Sequence, residues 1–213
     1  MGMEIDFAYK INQKVTLEGV YSLGNWTWNS AKDSITFKDE KGNIATEDGT
    51  ATGPILYESF DAVGVHVGDA AQTQIGGSVK YDIRNGLYLK ARYTYFGRHW
   101  AEFDPISLKG DDARRESWVL PNYYLIDLHA GYSHKVAGMW FNWKVSILNV
   151  MNTIYISDAQ NNEDRALYIN AQNLNFDAPS AGVFYGAGIR FNTSLKITFD
   201  LKKKKKTAKA ENE

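Results

Sequence analysis

From Val183 to Phe199 the odd positions read Val183, Tyr185, Ala187, Ile189, Phe191, Thr193, Leu195, Ile197 and Phe199, while the even positions read Phe184, Gly186, Gly188, Arg190, Asn192, Ser194, Lys196 and Thr198. One face is apolar and aromatic; the other is small, polar or charged. Successive side chains of an extended chain point to opposite faces, so strict alternation specifies a strand between two different environments. Soluble strands run about 3–10 residues. A strand that crosses an outer membrane needs about 9–11 tilted residues and commonly continues past them. The length of this run therefore predicts one strand of a membrane barrel.

The same alternation recurs upstream, and seven strands are expected. Ile5, Phe7, Tyr9 and Ile11 lead to a tight Asn12-Gln13 turn, and Val15, Leu17, Gly19, Tyr21 and Leu23 return from it. After a polar stretch over about 24–71, in which Ser34 to Phe37 and a turn at Lys41-Gly42-Asn43 suggest a small hairpin, Ile75, Gly77, Val79 and Tyr81 resume the pattern. They turn at Arg84-Asn85-Gly86 and come back through Leu87, Leu89, Ala91, Tyr93 and Tyr95. Asn-Gly between two alternating runs is a hairpin signal, because both residues tolerate positive φ. A second long connection covers about 97–121. Tyr124, Ile126, Leu128, Ala130 and Tyr132 then turn at Lys135-Val136-Ala137-Gly138 into Phe141, Trp143, Val145 and Ile147, and a third long connection precedes the final strand. Helical periodicity is absent.

Short and long connections thus alternate. A soluble sandwich would scatter both kinds over its two ends, whereas outer-membrane barrels put short turns at the periplasmic rim and long loops outside. Phe199 would then end the last strand at the periplasmic rim. Tyr81, Tyr93, Tyr95, Tyr124, Tyr132, Trp140 and Trp143 sit near strand ends, where rings with polar tips suit the two headgroup levels. The competing reading makes them core aromatics of a soluble sheet.

Composition narrows the choice. No run approaches the roughly 18 apolar residues of a membrane helix, and a barrel passes the same test because only alternate residues meet lipid. Aromatic residues make up 14% of the 213, a heavy load for a mean hydropathy of -0.41. With no cysteine the chain makes no disulfide and does no thiol chemistry. A net charge of -1 gives the body no attraction for polyanions. No basic segment followed by an apolar core and a cleavage site opens the chain, so an exported protein of this kind is expected to have lost its signal or to continue upstream.

Seven antiparallel strands cannot close on themselves antiparallel. Each bare edge would expose amide and carbonyl groups to hydrocarbon at several kcal/mol apiece. The missing partner strands are expected upstream in a longer polypeptide or in another chain.

Four stretches stand out in order: Val65-His66-Val67-Gly68-Asp69-Ala70-Ala71-Gln72-Thr73, the run from Leu87 to Arg98 with Ala101-Glu102-Phe103-Asp104-Pro105, Leu148-Asn149-Val150-Met151-Asn152-Thr153-Ile154-Tyr155, and Leu195-Lys196-Ile197-Thr198-Phe199. Together they resemble the C-terminal third of a TonB-dependent outer-membrane receptor of the kind found in Bacteroidetes. The likeness covers about residues 57–199. It implies a 22-stranded barrel in the bacterial outer membrane, filled by an N-terminal plug and importing a scarce nutrient such as an iron chelate, cobalamin or an oligosaccharide. The inner-membrane TonB complex would supply energy by pulling on the plug. Plug and TonB-contacting segment lie outside these residues, so transport is expected only together with them. Leu195, Ile197 and Phe199 look like the signal read by the barrel-assembly machinery. Such receptors usually stop at that aromatic, and here Asp200-Leu201 and a tail follow.

Residues 1–199 are thus expected to form part of the barrel, and 200–213 a disordered periplasmic tail. The block Lys202 to Lys206 is a solvated charge run by its composition, and a second reading gives it anionic headgroups or a periplasmic polymer to touch. Nucleic acid is not an expected partner, because no basic patch with interleaved aromatics accompanies the block.

For ligand binding, the outward connections offer Trp26, Trp28, Arg98, His99, Trp100 and Trp118, whose rings and guanidinium suit stacking on sugars or pairing with an anionic chelate. Packing of the connections explains Arg98, Trp100 and Phe103 equally. His66, His99, His129 and His134 are too widely spaced for a local metal motif, and His129 belongs to the polar face. Asp111-Asp112 and Glu163-Asp164 lack the regular spacing of a calcium loop. Gly186 and Gly188 sit inside a strand with no helix after them, which rejects a dinucleotide motif. No catalytic set, cofactor or metal is expected. The alternatives to a receptor are an outer-membrane adhesin or structural barrel, and a soluble carbohydrate-binding β-sandwich.

Overall fold

The computed structural model describes residues 1–38, 41–47, 53–160 and 181–199. The tail from Asp200 onward and the Glu163-Asp164 pair lie outside the described residues. In chain order the strands are β1 (Gly2–Lys10), β2 (Val15–Gly24), β3 (Ala31–Thr36), β4 (Tyr57–Asp61), β5 (Thr73–Arg84), β6 (Leu87–Gly97), β7 (His99–Trp100), β8 (Val119–Leu120), β9 (Tyr123–Val136), β10 (Met139–Leu148), β11 (Ile156–Gln160), β12 (Gly182–Tyr185) and β13 (Arg190–Phe199). Seven of them make one antiparallel sheet in the order β1-β2-β5-β6-β9-β10-β13. The other six pair off inside the long connections as β3–β4, β7–β8 and β11–β12. Among the described residues the helical pieces are two single 3-10 turns, Pro105–Ser107 and Gly110–Asp112. The all-β, antiparallel expectation holds.

The register carries the alternation across the whole sheet. The row that contains Tyr9 runs through Leu17, Val79, Ala91, Leu128 and Ile147 to Phe191, all apolar and all on one face. The next row begins at Lys10 and runs through Thr16, Lys80, Lys90, His129 and Ser146 to Asn192, all polar and on the opposite face. Apart from Arg84, at a bulge beside its turn, every charged residue of the seven strands falls on the polar face. A slip of one residue in any pair would exchange the two faces.

The sheet is also strongly inclined. β13 continues for seven residues past Asn192 to Phe199, although the row through Asn192 starts at the last residue of β1. At about 3.3 Å per residue and about 4.8 Å between strands, that drift over the intervening steps inclines the strands by roughly 40°.

Three tight turns stand at one end. Asn12 Oδ1 accepts the Lys14 and Val15 amides at 2.8 and 2.9 Å, closing the first. The second departs from the expectation that both Asn85 and Gly86 take positive φ: Gly86 alone does, at 82°, because the bulge between Asp82 and Arg84 absorbs the remaining twist. A Cβ at Gly86 would also collide with the Ser133 carbonyl oxygen of the neighbouring hairpin. At the third, Ala137 and Gly138 both have positive φ, 48° and 80°. The three long connections stand at the opposite end.

Two further expectations need correction. The run from Val183 to Phe199 is two strands, β12 paired to β11 and β13 paired to β10, with a break at Gly186 to Ile189. Gly186 lies against the Tyr155 ring, where a Cβ would not fit, and Asn152 Oδ1 accepts the Ile189 amide at 3.0 Å, so the chain is pulled out of the ladder. Those two glycines therefore mark the break and not a strand interior. Trp140 pairs with Lys135 and Thr198 in a polar row, so it stands on the polar face and not with the other ring-bearing strand ends; Lys135 Nζ lies 5.4 Å from its ring. The small hairpin in the first connection exists in a larger form, with β3 returning on β4 and Lys38 bridging Ile44 around Gly42.

Burial is inverted relative to a water-soluble sheet. Every buried apolar residue belongs to the connections: Ala62, Val65, Phe103 and Leu108 form one core, and Ala101, Leu120 and Ala159 another. On the apolar face of the sheet Leu89 is 49% exposed, Leu128 41% and Leu195 60%. Among the described residues no second layer covers that face. The sheet is open, and β1 and β13 are exposed along their whole length.

Candidate functional site

The residues expected to bind a ligand divide into two groups. Arg98 follows β6 directly and turns the chain with φ 53°. Its guanidinium donates to the Gly24 carbonyl at 3.0 Å and to Asn25 Oδ1 at 3.3 Å, and lies 5.7 Å from the Trp100 ring. His66 stacks on Trp100 with centroids 3.9 Å apart and planes 3° from parallel. Glu116 fixes His66 twice: Oε1 accepts the backbone amide at 2.9 Å and Oε2 contacts Nδ1 at 2.6 Å. His66 Nε2 stands 3.3 Å from Asn25 Oδ1.

Gln72 ties this cluster to Trp26. The fully buried amide accepts the Trp26 N–H at 3.0 Å and donates to the Trp26 carbonyl at 2.9 Å, acting as a length of strand edge. The Trp26 ring lies flat on Gly24, 2.6 Å from where a Cβ would stand. Arg98, Trp100 and Trp26 are thus brought to one corner, above the loop-end rim of β2 and β6. His66, Glu116, Asn25 and Gln72 complete it; none of them was expected to bind, because their contacts join the first and second connections across as many as 73 residues.

The remaining three fall elsewhere. Trp28 packs edge-on against Phe103 at 6.3 Å, and Trp118 packs on the Ala101, Leu120 and Ala159 core. His99 is buried with neither ring nitrogen partnered among the described residues, and burial pushes its pKa down, against the pull of Asp158 and Asp69. Burial agrees with the packing reading for Trp100 and Phe103, 7% and 6% exposed, and His99 is buried likewise; the accessible chemistry of the corner belongs to Arg98 and Trp26. Leu195, Ile197 and Phe199 lie exposed on the apolar face of β13, the open edge.

The polar face holds a second constellation. Glu18 Oε2 accepts from Lys90 Nζ at 2.5 Å and from Ser78 Oγ at 2.9 Å. Arg92 donates twice to Asp127 Oδ2, at 3.3 Å from Nε and 2.8 Å from Nη2, while Asp127 Oδ1 accepts the Asn149 amide at 2.9 Å. His129 Nδ1 contacts Ser146 Oγ at 2.8 Å. That pair is not the start of a hydrolytic triad, because both Asp127 oxygens are committed and no carboxylate bonds His129. Asp112 pairs with Arg115 at 3.0 Å. Among the described residues no group of three His, Cys, Asp or Glu could hold a metal ion.

No family profile matches the chain, and no curated protein matches it.

Proposed function

We propose that this chain forms part of the wall of an outer-membrane β-barrel that imports a nutrient, with the short turns at the periplasmic rim and the long connections outside. The observation that carries it is the apolar face: seven strands wide, bare, and free of Asp, Glu, Lys and Arg except Arg84 at a turn. Such a face in water would be an aggregation surface; against acyl chains it is at rest. Tyr21, Tyr93, Tyr95 and Tyr124 line its loop side, and Tyr9, Tyr81, Tyr132 and Trp143 its turn side. Between Tyr124 and Tyr132 lie about 26 Å of strand, or roughly 20 Å of depth at the observed inclination, close to the apolar belt of outer-membrane barrels. The Trp143 Nε1–H, which lipid could not satisfy, donates to Thr193 Oγ1 at 2.8 Å. An inclination near 40° is that of closed barrels.

Closure needs more strands. β1 and β13 both run from the loop end to the turn end, so an antiparallel complement contains an odd number of strands. The likeness to TonB-dependent receptors supplies the rest of the reading: a complement and plug in the whole polypeptide, energisation through the TonB complex, assembly through the signal at Leu195, Ile197 and Phe199, and no enzymatic activity.

These 213 residues contain no cysteine, and any elsewhere in the full-length protein is first replaced by serine. Single cysteines at Leu89 and Ile126 in the full-length protein, labelled with an environment-sensitive fluorophore in vesicles, should be quenched by brominated acyl chains. Cysteines at Ser78 and Ser146 should be quenched by aqueous iodide. The reverse pattern, or aqueous quenching at all four, refutes the membrane reading.

A further inference from the structure

On the polar face, Tyr88, Lys90, Arg92, His129, Lys144 and Ser146 line one hollow of about 280 Å³. Two of its three cations are anchored from behind, Lys90 by Glu18 on β2 and Arg92 by Asp127 on β9. Arg92 uses Nε and Nη2 for that anchor, which leaves Nη1 without a partner among the described residues. Lys144 has no carboxylate partner among the described residues. Its cross-strand partners are Gly131 and Ser194, and neither β10 nor β13 carries an Asp or Glu. Three cations thus face two committed carboxylates across one concavity. Around them the Ser146 hydroxyl, the His129 imidazole and the Tyr88 phenol add further hydrogen-bonding groups.

We infer that this hollow is an oxyanion-binding subsite, taking a carboxylate or phosphate group through Lys144, Arg92 Nη1 and the Ser146 hydroxyl. A guanidinium, an ammonium and a hydroxyl lining one hollow are the donor set that charged oxygens select. The preformed anchors matter as much as the donors. Glu18 and Asp127 hold Lys90 and Arg92 in place, so binding need not order two long side chains. The inference rests on the reading that this face lines a watery lumen, since a lipid-facing or packed surface would leave the hollow without its ligand. The oxyanion has two sources, a free solute passing through the lumen or a carboxylate of protein seated inside it.

Titrating the full-length protein in detergent at low ionic strength with inorganic pyrophosphate, and following its thermal midpoint, separates them. Saturable stabilisation that Lys144→Gln weakens by about tenfold or more in apparent Kd identifies a free solute. If pyrophosphate has no saturable effect but Lys144→Gln lowers the midpoint without any anion, a protein carboxylate fills the hollow. If pyrophosphate has no saturable effect and Lys144→Gln leaves the midpoint unchanged, or if pyrophosphate acts equally on both proteins, there is no subsite. Heat-modifiable mobility on a gel, recorded on the same samples, reports barrel integrity. A barrel that is intact yet indifferent to Lys144 overturns the subsite alone, whereas a chain that never shows the folded band overturns the reading beneath it.

Discussion

Placing a positive charge at Leu128 separates a lipid-facing sheet from every alternative. Leu128 is 41% exposed, so in water an arginine there would extend into solvent and alter stability by no more than about 0.5 kcal/mol. Its position predicts something different in a membrane. On β9 it lies midway between Tyr124 and Tyr132 on the same face, about 13 Å of strand from each ring and roughly 10 Å in depth at the observed inclination. That is the middle of the apolar belt, where an arginine on a barrel costs about 2–4 kcal/mol, roughly a 30- to 1,000-fold change in the folded-to-unfolded ratio. The same substitution at Tyr132, on the turn-side row, should cost only about 0–1 kcal/mol. Ser22→Arg, on the polar face between Glu4 and Gln74, should stay within about 0.5 kcal/mol. The measurement is reversible unfolding of the full-length protein in short-chain phosphatidylcholine vesicles, read by the folded band on unheated gels across a urea series. A Leu128→Arg midpoint equal to that of Ser22→Arg refutes the argument, because depth would then have no energetic meaning for this sheet.

Three local perturbations follow from the connections. Ala137 holds φ 48° in the turn before β10, a region costly for an L side chain, so Ala137→Gly should stabilise the protein by about 0.5–1 kcal/mol in the same unfolding series; a loss would show that the turn takes another form in solution. Gly86→Ala meets both a φ of 82° and the Ser133 carbonyl, and should cost about 2 kcal/mol or more, or fail to give the folded band, whereas Gly138→Ala, with φ 80° but open space around its Cβ position, should cost only about 1 kcal/mol. Asp61 accepts the Val63 amide at 3.1 Å and the Arg114 Nε at 2.6 Å, and these two bonds, the backbone one foremost, hold its carboxyl below the usual range. Because the folded value is the lower one, the contact is complete above the ordinary carboxylate pKa of about 4 and is lost as pH falls through the folded value. Limited proteolysis between Leu108 and Arg115 should therefore accelerate below about pH 4 in the wild type. Arg114→Gln should show the acceleration at higher pH, and identical profiles would remove Asp61 from the account.

The sheet was legible in the sequence because its code is local. Alternation at Val79 or Leu195 reports a face without reference to any distant residue, and the rims follow from turn residues within four positions of one another. What the sequence hid is set by contacts across long separations. The break at Gly186 to Ile189 satisfies the alternating pattern perfectly well; it is imposed by Tyr155 and Asn152, which lie more than thirty residues earlier. Trp140 shows the opposite failure, since proximity to a strand end says nothing about which face a ring occupies, and parity with Phe141 and Trp143 does. At the loop end, Arg98 and Trp100 announce themselves by residue type, while Gln72 is an ordinary polar residue that becomes a structural tie only because the Trp26 segment passes beside it.

Why the connections carry the packed cores follows from the same division. The strands leave their apolar side chains bare on one face, so residues that would fill the centre of a water-soluble domain are unavailable for packing among themselves. The long connections must therefore build their own cores if they are to hold a shape. They do so across all three: the Leu108 carbonyl from the second accepts the Asp61 amide of the first at 2.9 Å, and the Ala159 carbonyl from the third accepts the Glu102 amide of the second at 2.7 Å. One tether reaches into the sheet. Asn149, 1% exposed with φ 50°, receives Asp127 from the polar face on its amide, exchanges hydrogen bonds with Thr153, and donates to the Ala187 carbonyl at 3.3 Å. Asp127 in turn holds Arg92, so a change of charge on the polar face and the position of the β13 edge meet in one side chain. On the proposed reading, a ligand that drew Arg92 away from Asp127 would loosen the Asn149 tether beside the edge strand β13, where further strands would join.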